Sequence, residues 1–328
     1  MDFELSEDET ALADAIRSLC EGRFPLDRLR AAEGGAGVLD AEAWGELAEA
    51  GVFSLQVPEA AGGVGLGMAA GAVVFEELGR ALVPGPILAS HVAAGIIEGV
   101  AEGKVVVGAV RRPEPSGPGA LAPVLVGHLS SLDVLVVVGA DGLSAVDPHE
   151  LGAVAIERAL DPLTPLWRVG PLPVGRPVGG VEEARAWRRA ESVLGGALLV
   201  GLAEGTMEMA VAYAKQREQF GKPIGSFQAV KHMCADMLVA AETARAAVHA
   251  AAVTIDQPGV GDPDRAAAGA GLLAAEAAIR NGKTSIQVHG GMGFTWEVPA
   301  HLYLMRAWVL AQAIGPVDDL AELVAELY

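Results

Sequence analysis

The sequence predicts an α+β protein, mainly helical, laid out as helices, then short strands, then helices again. Three observations predict it. Apolar residues recur at three- and four-residue spacing from Leu5 to about His91. Between about Glu98 and Gly180, short β-branched runs alternate with Gly, Pro and Asp-Gly turns. From about Val181 onward the chain is Ala-rich and helical. Helices and strands kept apart along the chain imply separate domains rather than alternating βαβ units. The expected domains are an N-terminal helical domain (1–95), a reduced middle β domain (96–181) and a C-terminal helical bundle (182–328). A chain of 328 residues exceeds what a single core usually holds.

Ser6, with Glu9 three residues on, reads as a capping box that starts the first helix, whose apolar positions include Leu12, Ala15, Ile16 and Leu19. A second helix is expected near Ala41 to Ala50, a Gly-rich turn from Pro58 to Gly67, and a third helix from about Met68 to Gly79. The strands are expected at Val105–Val107, Val124–Val126, Val134–Val138 and Val154–Ile156, with Asp141-Gly142 as a hairpin turn. Pro171 to Gly180 reads as an exit linker. Long helices follow from about Glu182 to Phe220, Gln228 to Ile255 and Pro263 to His289, and a last helical stretch reaches Tyr328. Short connections between them make an antiparallel bundle.

Composition narrows the function. Hydrophobic residues make up 52%, which excludes disorder for most of the chain. With 42 Asp+Glu against 23 Lys+Arg the net charge is −19, and no basic stripe offers itself to nucleic acid. Two cysteines, Cys20 and Cys234, cannot build a metal cluster alone and read as small apolar side chains. The acidic N-terminus is unlike a secretory signal, and unbroken apolar runs fall short of the roughly 20 residues that span a bilayer. A cytoplasmic protein with no membrane partner is the expectation.

Two stretches carry chemistry. In the first, Tyr213 to His232, a helix is expected to end at Gly221 and Ser226 to cap the next one. Arg217 there either offsets the helix dipole or forms a bidentate contact with a pyrophosphate, for which its planar fork is suited. The second, Gln287 to Glu297, holds Gly290, Gly291 and Gly293, which would let backbone amides approach a ligand closely. Taken alone, it also reads as an interhelical turn with His289 as a turn histidine.

Together these stretches closely resemble the acyl-CoA dehydrogenase family, whose bundle carries R-x-x-F-G-x-x-x-x-x-F-Q and Q-x-x-G-G-x-G. The matching positions are Arg217, Phe220, Gly221, Phe227 and Gln228, then Gln287, Gly290, Gly291 and Gly293. Pro58 to Gly67 is similar to the family's P-E-x-x-G-G-x-G segment, Phe75 to Arg80 to its E-E-x-x-R/G stretch, and Asp161 to Leu166 to the end of its middle domain. The resemblance covers nearly the whole chain. It implies a four-helix C-terminal bundle that builds a tetramer, FAD at subunit interfaces, and α,β-dehydrogenation of an acyl-CoA thioester. It also implies an electron-transfer flavoprotein as electron acceptor. Carried over, Arg217, Phe220 and Gln228, with Gln287, Gly290, Gly291 and Gly293, would meet the ADP half of an FAD held by a neighbouring subunit.

Departures from the family pattern shape the reading. The late catalytic Glu is missing, because Trp308 to Pro316 holds Gln312 and no carboxylate. At the alternative family position stands Glu191, 217 − 191 = 26 residues before Arg217, within a charged helix start that reads as a solvated face. Pro113 to Gly117 is either a remnant of the flavin-ring strand or a plain turn, and Trp167 lacks the Ile-Thr pair of the second such strand. The chain therefore resembles the shorter subunit of the heterotetrameric (α2β2) acyl-CoA dehydrogenases of steroid-degrading actinobacteria. There a longer subunit supplies base and flavin pocket, and the substrate would be a bulky steroid-derived CoA ester. Two alternatives stay open: a self-sufficient homotetrameric dehydrogenase with Glu191 as base, and a non-catalytic scaffold.

Overall fold

The computed structural model describes residues 5–31, 39–113, 123–257 and 259–326. Helices α1 (Glu7–Arg23), α2 (Leu26–Ala31), α3 (Ala41–Glu49), α4 (Met68–Arg80) and α5 (Ile87–Ala93) come first. Seven strands follow: β1 (Val107–Arg111), β2 (Val124–Gly127), β3 (Val134–Val138), β4 (Leu143–Val146), β5 (Ala153–Ala155), β6 (Leu166–Val169) and β7 (Arg176–Gly179). The long α6 (Val181–Gln216) leads to a small hairpin, β8 (Glu218–Gln219) and β9 (Lys222–Pro223). Helices α7 (Gln228–Asp256), α8 (Pro263–His289), α9 (Ala300–Ile314) and α10 (Val317–Glu326) complete the chain. Mainly helical with a small sheet region, this is the α+β class that the sequence predicts.

The chain divides into two compact units, one from Met1–Arg30, Met68–Val83 and Ser192–Tyr328, the other from Ala31–Gly67 and Pro84–Glu191. In the first, the capping box forms as expected: the Ser6 hydroxyl accepts from the Glu9 N–H at 3.2 Å, and Glu9 accepts from the Ser6 N–H at 2.9 Å. Helix α7 packs along α8, α8 against α9 and α10, and α4 against α1 and α7. Helices α4 and α6 meet through glycines: a Cβ at Gly79 would overlap the Leu198 carbonyl, and one at Gly201 the Glu76 carbonyl. Such close backbones need residues without side chains.

That contact leaves the Glu76-Glu77 pair of α4 buried, and the same unit neutralises it. Arg17 of α1 donates to Glu77 at 2.8 Å, which raises the arginine pKa. Arg80 pairs with Glu77, Glu204 and Glu208. Arg245 of α7 pairs with Glu76 at 3.1 Å and with Glu204, while His249 Nε2 lies 2.8 Å from Glu76. Buried carboxylates persist only when paired in this way, since stranding one costs about 3–5 kcal/mol. At the far end of α7, Asp256 accepts from the Met68 and Ala69 N–H groups at 2.8 and 3.0 Å and so caps α4.

In the second unit one sheet has the order β1-β3-β4-β7, with β1–β3 parallel, and another the order β2-β6-β5, all antiparallel. Strand β3 explains its unbroken apolar run by serving two cores. Leu135 and Val137 pack with Val126 and Leu172, whereas Val136 and Val138 pack with Val107 and Trp187. The Asp141-Gly142 turn closes β3 onto β4, with the Gly139 N–H donating to Gly142 O at 2.9 Å.

Two sequence expectations shift here. The first strand starts at Val107 rather than Val105, and the expected linker at 171–180 carries β7, paired to β4 at a sheet edge. Pro177 disguises β7, because proline signals a turn yet is tolerated on an edge strand.

Helices α6 and α7 are also long and apolar enough to cross a membrane by length and mean hydropathy (1.3 each). In α6, 72% of that apolar window is buried in protein, as in a core helix; in α7, 28% is.

Candidate functional site

The structure brings the two motif stretches together within the first unit. The Tyr213 ring stacks on His289 with centroids 4.3 Å apart. Beneath them Ala210, Ala214, Met237 and Val288 form a shared core, with Ile224, Val230 and Met233 packed against it. Residues from α6, the turn that follows the hairpin at Ile224, α7 and α8 therefore share one core.

Helix α6 ends at Gln216, not at the expected Gly221. Residues Glu218↔Pro223 and Gln219↔Lys222 pair instead as a two-residue hairpin. Its turn is Phe220-Gly221, with φ of +56° and +76°. Positive φ at both central residues is the hairpin turn that matches strand twist. A bulky residue at the first position is strained, and such strain concentrates where a side chain must be presented. Phe220 is 91% exposed. Arg217 accordingly lies at the helix end rather than one turn before a glycine cap, its N–H donating to the Tyr213 carbonyl at 2.8 Å, so both readings of its charge stay open. Ser226 is likewise no cap: Phe227 occupies that position, with no side-chain hydrogen bond.

Around the turn, Lys222 Nζ sits 4.5 Å above the Phe227 ring, and Phe220 meets Phe227 edge-on at 6.0 Å. Residues 215–231 hold four cations (Lys215, Arg217, Lys222, Lys231) against one carboxylate, Glu218, in a chain of net charge −19. That excess is too small for a nucleic-acid track and suits a single diphosphate. Arg217, Gln228 and Gln287 are exposed.

Gly290 to Phe294 winds into a short 3-10 turn after α8. Gly290 has φ +60° and ψ −134°, a conformation only glycine adopts readily. At Gly291 a Cβ would find open space, whereas at Gly293 it would overlap the Ile286 carbonyl. A guanidinium fork, an exposed ring on strained backbone and an open glycine turn fit the phosphates and base of a nucleoside diphosphate.

Glu191 overturns the expected solvated face. Glu182, Glu183 and Arg185 are exposed as the pattern suggests, but Glu191 is only 8% exposed. Its Oε2 accepts from Arg111 Nη2 at 2.9 Å and from Nε at 3.3 Å, and Trp187 also donates to its carboxylate. Burial raises the Glu191 pKa, with Arg111 pulling the other way. Sequence reasoning missed Arg111, which stands 80 residues away on β1; its only trace was an arginine closing a β-branched run.

Gln312 is exposed on α9. Trp167 packs against the small-sheet core. In the Pro113 to Gly117 segment, residues 114–117 lie outside the described residues. Cys20 is buried and its thiol is pushed up to about 12, chiefly by burial, in keeping with a packing role.

Comparison with known proteins gives concordant findings. The acyl-CoA dehydrogenase N-terminal domain matches residues 6–102, and the acyl-CoA dehydrogenase C-terminal domain matches 187–327. The acyl-CoA dehydrogenase IpdE2 of Mycolicibacterium smegmatis is 32% identical over 99% of this chain and 100% of its own length. The acyl-CoA dehydrogenase FadE34 of Mycobacterium tuberculosis is 36% identical over 95% of this chain, which spans 46% of that longer relative. Among solved structures, the Tcur3481-Tcur3483 steroid ACAD is similar with a TM-score of 0.84 and 26% identity, covering 98% of this chain and 97% of that one. The chain belongs to the acyl-CoA dehydrogenase family, whose members are FAD-dependent oxidoreductases acting on CH–CH bonds.

Proposed function

We propose that this chain is the shorter subunit of an FAD-dependent acyl-CoA dehydrogenase, completing the FAD site of a longer catalytic subunit in an α2β2 heterotetramer. One contrast carries the reading. The nucleotide-facing set (Arg217, Phe220, Gln228, Gln287, Gly290 and Gly291) lies open at the surface, while the chain's candidate base, Glu191, is buried against Arg111. Gly293 shapes the turn from beneath.

FAD, when bound, would supply the hydride-accepting chemistry for oxidising the Cα–Cβ bond of an acyl thioester. This chain's residues hold and orient. The Arg217 fork would hold the pyrophosphate, Phe220 the adenosine side, and the amides of the glycine turn would donate to the diphosphate. Glu191 serves in this reading as the partner of Arg111, whose Nε and Nη2 both donate to its Oε2, and the Cα proton is left to a base on the longer subunit.

The half-length match to FadE34 supports the division of labour, since the rest of that chain leaves room for a second unit of similar size. The steroid enzyme among the similar structures, whose name pairs two components, supports a steroid-derived CoA ester as substrate. The exposed apolar length of α7, including Leu238 and Val239, supports helix packing between chains. An electron-transfer flavoprotein is the proposed electron acceptor.

One observation favours the alternative with Glu191 as base: burial tunes its pKa upward, as a base requires. The Arg111 pair opposes it.

Arg217→Ala tests the reading in the assembled complex. Losing a charge-assisted contact of about 1.5–3 kcal/mol should weaken FAD binding by roughly ten- to a hundredfold. Unchanged FAD occupancy would instead make the chain a scaffold.

A further inference from the structure

We infer that His289 is a binding residue for the adenosine half of the cofactor: its Nε2 accepts a hydrogen bond from a neutral donor, a ribose hydroxyl or the adenine amine. The inference rests on the FAD reading above and adds a specificity residue to it. His289 is 5% exposed and held on two sides. Its Nδ1 lies 2.7 Å from the Ser285 carbonyl, and its ring is stacked on Tyr213. A carbonyl can only accept, so Nδ1 carries a proton, and the neutral form of the ring has its lone pair on Nε2.

Nε2 has no hydrogen-bond partner among the described residues and is not among the side-chain atoms sealed from solvent. A nearly buried ring thus meets the surface through an acceptor, one residue before the exposed Gly290 and stacked on Tyr213, whose carbonyl accepts from the Arg217 N–H. A lone pair there repels phosphate oxygens and selects N–H or O–H donors, leaving the phosphates to Arg217 and the glycine amides.

The ring is also fixed more firmly than a surface side chain. Ser285 and Asn281 continue the same stripe of α8 into the bundle, both fully buried, and Asn281 Nδ2 donates to the Ala203 and Met237 carbonyls at 3.1 and 2.9 Å. The residue that orients His289 therefore sits on a helix tied to α6 and α7, which pre-organises the acceptor.

The test uses the complex of this chain with its longer partner, stripped of FAD. ADP, 2′-deoxy-ADP, 3′-deoxy-ADP and inosine diphosphate compete against FAD, with flavin fluorescence as the readout. The wild type should bind ADP about tenfold more tightly than whichever analogue lacks the donor that Nε2 meets, and the analogue identifies hydroxyl or amine. His289→Asn keeps an N–H for Ser285 and removes Nε2; His289→Phe keeps the stack on Tyr213. Both should lose the discrimination while melting within a few degrees of the wild type. Equal affinity of the wild type for all four competitors overturns the inference, whatever the variants do. So does discrimination that survives in either folded variant. Arg217→Ala serves as the control: if it too leaves ADP affinity unchanged, the FAD reading fails as a whole, whereas a weakened Arg217→Ala beside indifferent His289 variants sinks the histidine alone.

Discussion

His91, in the second unit, has Nδ1 2.6 Å from the Val52 carbonyl and Nε2 2.9 Å from the Gln56 side-chain amide. Burial lowers its pKa from 6.5 to about 4. The unfolded chain takes up a proton near pH 6.5 that the folded chain refuses until about pH 4, so stability drains away across that window as pH falls. A difference of about 2.5 in pKa is worth roughly 3 kcal/mol. Urea titrations at pH 7 and pH 4.5 should show this loss in the wild type and a flatter dependence in His91→Gln. Glu191 works in the other direction. Its raised pKa means the folded state holds the proton more tightly, so stability falls as pH rises from the ordinary glutamate range through the raised value. Glu191→Gln should remove that fall and leave turnover of the assembled complex within a few-fold of wild type. Complete loss of turnover with FAD retained would make Glu191 the base. In the sequence, Glu191 reads as solvated because its neighbours Glu182, Glu183 and Arg185 are. Arg111 comes to it only through tertiary packing, which periodicity does not encode.

Elements with strong local signals were legible before the structure. The capping box at Ser6, proline at the first turn of α8 and the β-branched run of β3 each mark their element from a few neighbouring residues. The hairpin at 218–223 was not, because a good helical pattern runs up to it and its turn places phenylalanine where Asn or Gly is usual. Past Gln216 the chain pairs Glu218 with Pro223 and Gln219 with Lys222, contacts with no periodic signature. The crossing of α4 and α6 was equally hidden, since Gly79 and Gly201 are ordinary glycines in helical sequence until their backbones meet. Gly201→Ala gains helix propensity, which in isolation would stabilise α6. Here the added Cβ overlaps the Glu76 backbone, so thermal unfolding should report a net loss of about 1–3 kcal/mol. An unchanged or raised melting temperature would show that the two helices can part without loss.

For the whole molecule, the family was readable because its motifs sit in two short stretches, which meet through Tyr213 and His289 once the bundle forms. The proposed division of labour rests on less local features, a Glu191 carboxylate paired with Arg111 and an α7 whose apolar window is only 28% buried. Purification of this chain alone and with its longer partner, followed by flavin absorbance against protein concentration, addresses that claim most directly. The account predicts a colourless chain alone and a yellow, active complex with about one FAD for every two chains. A yellow, active protein carrying one FAD per chain, obtained from this polypeptide alone, would contradict it.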